Sequence, residues 1–354
     1  MISNNSVVSE KLEIANLLAK TFSEISSNNN YSKVFLKHKS EAEKQKVCFA
    51  SHNDEVYNMP ITYGELTESI KNSKDGSPGP DGIYSQFLKH LPEASLELLL
   101  NIFNFIWTSD YFPSIWQQAI VVPIPKSKKD QTDPNNYRPI SLTCILCKVF
   151  EKIVNSRLTI FLEQQEIFIP EQSGFRKGRS TLDHLVRLES IIREGFLNNE
   201  HVVAIFFDLE KAYDTTWRHG CLSDLFKIGL RGYLPNFITR FLQQRSFCVR
   251  YMSVESDIST LETGLPQGSV LSVTLFGLRI NDITSCLKQG VEGFIFVDDF
   301  VASTHSRYMP TIERKLQLTL HELEKWCDRN GFKFSTTKTA GVHFCKPQSD
   351  TPRP

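Results

Sequence analysis

The sequence predicts a mixed α+β fold, because two apolar, β-branched runs end on aspartates and stretches with helical period lie between and around them. The first run, Val202-Val203-Ala204-Ile205-Phe206-Phe207, stops at Asp208. It reads as a buried strand with a carboxylate at its tip. The second, Phe294 to Ala302, holds Asp298 and Asp299 inside an otherwise apolar stretch. It reads as two short strands with the acidic pair in their connection. Hairpin turns favour Gly or Asn beside an Asp, and adjacent carboxylates repel, so something must compensate the charge. A solvated acidic turn is one solution. A divalent cation is the other, since Mg²⁺ takes one or two carboxylates together with phosphate oxygens. If the two strands are neighbours in one sheet, Asp208 joins the pair. Two ions roughly 3.5–4 Å apart on such a cluster are the usual apparatus of in-line phosphoryl displacement.

The 354 residues are 40% hydrophobic and 23% charged, which is globular composition with length for two or three compact units. Forty basic and forty acidic residues cancel, so any polyanion-binding surface must be local. The N-terminus lacks a basic region followed by an apolar one, and no stretch approaches the roughly 18 apolar residues of a membrane span. The expectation is an intracellular protein, in cytoplasm or nucleus rather than secreted, with no membrane partner. Eight cysteines are scattered; the close pair Cys144 and Cys147 has no second CxxC to complete a zinc site and reads as core thiols.

Residues 1–60, rich in Ser, Asn, Lys and Glu with weak helical stretches such as Glu10 to Ile25, read as a polar N-terminal extension. Thr62 and Glu65 open a helix with a capping-box pattern. Ser77-Pro78-Gly79-Pro80-Asp81-Gly82 then forms a rigid loop. Two amphipathic helices follow, Ser85 to Leu91 and Ala94 to Ser109, with the aromatics of the second assigned to the core. Ala119 to Lys126 reads as a strand, and NYRPISLT carries Arg138 into a second extended stretch. Lys126 and Arg138 near paired strand ends suit a triphosphate, or a solvated basic loop. Cys147 to Leu162 reads as a helix with mixed charges on its outer face. The loop QSGFRKGRS interleaves Gly174 and Gly178 with Arg176, Lys177, Arg179 and Phe175, which suits a single-stranded backbone as well as an idle surface loop. Helices are expected at Leu222 to Leu230 and Pro235 to Gln244, and a strand at Phe247 to Val254. Gly264 to Ser272 is a turn leading into a helix, where Gln267 between Pro266 and Gly268 has a backbone that can approach a ligand closely. Pro310 to Asn330 is a long amphipathic helix stopped at Gly331. Phe332 to Phe334 and Ala340 to Phe344 read as a last hairpin with Lys338 between them, and residues 346–354 as a disordered tail.

Taken together, SPGPDGI, IPK, NYRPISL, QSGFRKGRST, FFDLEKAYD, GLPQGSVLS, FVDDF and FKFSTTKT occur in the order found in reverse transcriptases. The chain resembles the LINE-like, non-LTR retrotransposon polymerases of the jockey type from about Lys71 to Phe344. The resemblance implies a right-hand polymerase with fingers over residues 61–200, a palm with interleaved fingers helices over 201–345, an antiparallel palm sheet packed on helices, and no thumb. It implies RNA-directed DNA polymerase activity on an RNA template, a DNA primer and dNTPs, with two Mg²⁺ ions, or Mn²⁺ in their place. Asp208 and Asp298 would be metal ligands, Asp299 the third acid, and the Leu209 carbonyl a further ligand. Tyr213 would be the steric gate against a ribose 2′-OH, and Gln267 would line the nucleotide pocket. Lys126 and Arg138 would hold the triphosphate, with Lys338 near it. Tyr213, Val273, Val297 and Ser335 stand where the commonest pattern has Phe, Pro, Ala and Asn. The thumb and upstream endonuclease of complete elements are expected to be missing. Two other readings remain open: a relic that binds nucleic acid without polymerising, and a phosphohydrolase with Asp208 as nucleophile, which would want Asp where Glu210 stands.

Overall fold

A computed structural model describes residues 1–3 and 6–345; the tail expected to be disordered, residues 346–354, lies outside them. The chain forms two compact units, one from Met1–Ile167 and Tyr213–Phe276, the other from Phe168–Ala212 and Gly277–Pro354.

The first unit opens with a short ribbon, β1 (Ile2–Ser3) and β2 (Ser6–Val7), followed by α1 (Lys11–Ile25) and α2 (Lys33–Ala42). α3 (Tyr63–Lys71) starts at the expected capping box, in which Thr62 and Glu65 satisfy each other's backbone N–H groups. Next come α4 (Ser85–Lys89), α5 (Glu93–Thr108), β3 (Gln118–Pro125), β4 (Tyr137–Leu142) and α6 (Ile145–Gln164). The chain then contributes α7 (Thr181–Leu197) and β5 (His201–Asp208) to the second unit. It returns with α8 (Arg218–Lys227), α9 (Tyr233–Leu242), β6 (Ser246–Tyr251), β7 (Val254–Glu255), β8 (Ser259–Thr260) and the start of α10 (Val270–Ile280). Strands in this unit run β4-β3-β6-β7, with β8 also on β6; β3 pairs antiparallel with β4 and parallel with β6.

The N-terminal segment is not an appendage. Ile14, Leu18, Ala19 and Phe22 of α1 share one buried cluster with Ala119, Val121, Tyr137, Phe247 and Val249 of the sheet. The spacing of 14, 18 and 22 places one apolar stripe on the sheet while the polar residues face outward, so bulk composition concealed a core helix. Burying Leu18 and Phe22 alone is worth about 1.5–3 kcal/mol each. The aromatics of α5 divide: Phe103 and Trp107 are buried, whereas Phe105 is exposed. Phe150 of α6 stacks on Phe237 of α9 with ring centres 4.5 Å apart. α6 departs from its expected outer ring of charges, because Glu151 is completely buried.

The second unit adds β9 (Glu292–Phe296), β10 (Asp299–Ser306), α11 (Met309–Asn330) and β11 (Ala340–Phe344) to α7 and β5. Its sheet has the order β11-β5-β10-β9 with every neighbour antiparallel. Ile191 of α7 packs with Val202, Ala204, Phe294 and Val301. Gly331, at φ 78°, ends α11 in the left-handed conformation that glycine adopts without a Cβ clash. The expected last hairpin does not form. Residues 340–344 pair with β5 instead, from Ala340↔Phe206 to Phe344↔Val202, and Phe334 makes an isolated bridge to Leu209. One segment lies along the edge of β5 and the other meets the residue just past its end, rather than each other, and local pattern does not reveal partners so distant in sequence.

Candidate active site

In the second unit β5 terminates on Asp208 and β10 begins on Asp299, and these two residues face each other as Cα partners. Asp299 also pairs with Phe296 across a two-residue turn, Val297-Asp298. Sheet register therefore brings Asp208, Asp298 and Asp299 to one end of the sheet. The turn is a costly one: Val297 has φ 60°, a conformation that a β-branched residue rarely takes. Such strain is of order 1–3 kcal/mol and persists only where surrounding structure enforces it.

The enforcing structure is the segment Glu171 to Gly174. Ile295 donates to the Glu171 carbonyl at 3.0 Å and Ser173 donates to the Ile295 carbonyl at 3.1 Å, so the segment extends the sheet beyond β9. A Cβ on Gly174 would lie 2.5 Å from the Val297 nitrogen. Gly174 is thus where backbone lies directly on the acidic turn. In the same loop Arg176 donates to the carbonyls of Ile169 and Gln172, at 2.9 and 3.0 Å, and lies 5.4 Å from the Phe168 ring. Phe175, Lys177 and Arg179 are exposed. The loop expected to form a basic track divides into one inward arginine and an outward aromatic and cation set.

Electrostatics mark the acidic end as unfinished. Burial raises the pKa of Asp299, the carboxylates of Asp298 and Asp208 raise it further, and Lys338 opposes them. Lys338 donates to both carboxylate oxygens of Asp208, at 3.0 and 2.9 Å. Its loop is fixed by backbone bonds from Ser335 to Asp208 and from Glu210 to Lys333, each 2.8 Å, and closed by Thr339 donating to the Ser335 carbonyl. Among the described residues no three of His, Cys, Asp and Glu form a ready metal cage. Three carboxylates at one sheet end, with charge on Asp299 disfavoured and an ammonium already drawn to Asp208, are nonetheless a hard-oxygen donor set that suits a divalent cation. Leu209, next along, is buried at its bridge to Phe334.

The remaining predicted residues belong to the first unit. Lys126 follows β3, and its ammonium donates to the Asn135 carbonyl at 2.8 Å. Arg138 is exposed on β4 opposite Ile124. Tyr213 is half-buried, its ring stacked on Phe276 with centres 4.6 Å apart. Gln267 is held at both ends: its carbonyl accepts from the Ser141 N–H at 3.2 Å, and its side-chain nitrogen donates to the Asp214 carboxylate at 2.9 and 3.0 Å. Gly268, at φ 101°, supplies the turn that follows. Asp214 and Glu151 were not singled out in the sequence. Asp214 carried a signal in standing beside Tyr213; Glu151 carried none beyond being a charge in an apolar helix.

The family model described as reverse transcriptase (RNA-dependent DNA polymerase) matches residues 124–352, well over half of the chain. The chain belongs to the reverse transcriptase family. All nine residues expected at the site fall inside the matched span. This reverse transcriptase chain is similar to the probable RNA-directed DNA polymerase from transposon BS of Drosophila melanogaster, 31% identical over 292 residues, covering 80% of this chain and 32% of that protein. It is similar to the RNA-directed DNA polymerase from mobile element jockey of the same organism, 29% identical, covering 78% of this chain and 31% of the relative. The probable RNA-directed DNA polymerase from transposon X-element is 30% identical and covers 81% and 32%. The chain thus spans about a third of the length of these relatives. Divalent metal ions are general to reverse transcriptases, which agrees with the donor set at the sheet end. Among the described residues no helix is long and apolar enough to cross a membrane.

Proposed function

We propose that the chain is the catalytic portion of an intracellular RNA-directed DNA polymerase that adds dNTPs to the 3′-OH of a DNA primer on an RNA template. Residues 61–200 are read as fingers and residues 201–345 as palm with interleaved fingers helices. The observation that carries this reading is the register of Asp208 against Asp299, with Asp298 in the adjoining turn. Asp208, Asp298, Asp299 and the Leu209 carbonyl would hold two Mg²⁺ ions, with Mn²⁺ as substitute. When bound, these ions would lower the proton affinity of the primer hydroxyl and neutralise the leaving pyrophosphate.

The chain's own residues position the reactants. Lys126 and Arg138 present cationic donors to the triphosphate, Arg138 through a planar fork that matches phosphate oxygens. Tyr213, braced by its stack on Phe276, is a rigid wall against a 2′-OH. Gln267 presents its amide beside the nascent base pair. Lys338, resting on Asp208, is the group that exchanges this carboxylate for a phosphate oxygen.

The test is primer extension with an RNA template, a DNA primer and Mg²⁺ or Mn²⁺, comparing the chain with Asp298→Asn. Extension by the first and none by the second is expected. Equal extension by both contradicts the site. Template binding without extension by either supports a chain that binds nucleic acid and does not copy it.

A further inference from the structure

The first unit contains a buried carboxylate with no part in the roles above. Glu151 of α6 is 0% exposed, and one of its oxygens accepts from the Val270 N–H at 2.9 Å, the Leu271 N–H at 3.3 Å and the Ser269 hydroxyl. Its other oxygen accepts from Cys147 Sγ at 3.5 Å. The carboxylate thus caps the first turn of α10 from a helix nearly 120 residues earlier. Arg245, also buried, lies in the same pocket of charge: its Nη1 donates to the Trp116 carbonyl at 2.9 Å, and the Cys147 and Glu151 groups oppose the lowering of its pKa by burial.

A helix start needs no such device. Ser269 stands just before α10 and is a residue type that caps a helix locally. Here its hydroxyl instead donates to Glu151. Removing a carboxylate from water costs several kcal/mol unless hydrogen bonds and an opposite charge replace the solvent. Here the bonds from Ser269, Val270 and Leu271 replace the solvent and tie α6 to the start of α10. What this tie fixes is the turn Pro266-Gln267-Gly268-Ser269, whose helical end it anchors while Ser141 and Asp214 hold Gln267 itself.

We propose that Glu151 is a positioning residue for Gln267: it acts through the N-terminal turn of α10 to set where the Gln267 amide stands, and so how tightly an incoming nucleotide is held. This rests on the reading of Gln267 as a nucleotide-pocket residue. Glu151→Gln keeps the shape and removes the charge; Ser269→Ala removes one donor with little risk to folding.

Two measurements on the full chain test it. Hydrogen exchange at the Val270 and Leu271 amides should be about tenfold faster or more in Glu151→Gln, since charge-assisted bonds become neutral ones, and accelerated to a smaller extent in Ser269→Ala. In primer extension, Glu151→Gln should raise KM for dNTP by roughly tenfold with kcat little changed, and Gln267→Ala should raise it similarly. The double variant should be no worse than Gln267→Ala alone, because two residues acting on one contact are not additive. Multiplying effects, a fall in kcat with KM unchanged, or unaltered exchange at those two amides would overturn the proposal. A Gln267→Ala variant with unchanged KM would instead remove Gln267 from the pocket, while the exchange experiment would still report on the anchor.

Discussion

The acidic end of the palm sheet and the Gln267 turn of the first unit are built on opposite principles. Asp208, Asp298 and Asp299 are brought together by backbone register, and the carboxylates of Asp298 and Asp208 add to burial in disfavouring charge on Asp299. Gln267 sits in a turn where carbonyl, amide and following helix are each engaged by Ser141, Asp214 and Glu151. At the first site burial and neighbouring carboxylates disfavour charge on Asp299; at the second the polar groups of Gln267 are already engaged within the chain. The difference teaches which residues a reaction must neutralise and which it only needs held still.

Substitution should separate the two. The largest effect is expected from Asp298→Asn or Asp299→Asn, which should reduce primer extension by about a thousandfold or more, the scale of losing several kcal/mol of charge stabilisation. The same Asp299→Asn change should leave thermal stability equal or higher, because it relieves carboxylate repulsion. A clear fall in Tm would show that the cluster is structurally satisfied and the contrast false. Next, Tyr213→Ala should raise ribonucleotide incorporation relative to dNTP by roughly tenfold or more, the range available to a steric pocket. Unchanged sugar selectivity in a competition assay would take Tyr213 out of the gate. Gly174→Ala forces a Cβ against the Val297 nitrogen and should cost about 1–3 kcal/mol in urea unfolding, in line with overpacking. The smallest stability effect belongs to Lys338→Met. Its ammonium is largely exposed, so the ion pair with Asp208 contributes at most about 1 kcal/mol, while dNTP KM should rise several-fold. A KM equal to the parent's would confine Lys338 to its pairing with Asp208.

Much of the fold was legible because it rests on short-range rules. Continuous apolar runs announced β5 and the β9–β10 turn, the Thr62–Glu65 pair announced α3, and Asn330-Gly331 announced the end of α11. The acids were legible for the same reason, being charges where an apolar pattern has no use for them. What stayed hidden depends on distant partners. The helical stretch of α1 was legible, but its burial against the sheet was masked by its polar outer face, and β11 gave no sign that it would choose β5 over its neighbour 332–334. Glu151 looked like any solvated helix charge, because only the three-dimensional arrival of α10 buries it. Val297 also read as an ordinary apolar neighbour; its left-handed backbone follows from the two-residue turn and from Gly174 behind it.

The central claim is that three distant acids form one divalent-cation site. Titration of the purified chain with Mn²⁺, followed by the loss of the free-ion electron paramagnetic signal, tests it without template or primer. Binding that is present in the parent chain and abolished in Asp208→Asn and in Asp298→Asn alike is the expected result. Equal Mn²⁺ binding by the parent and both variants would contradict the account.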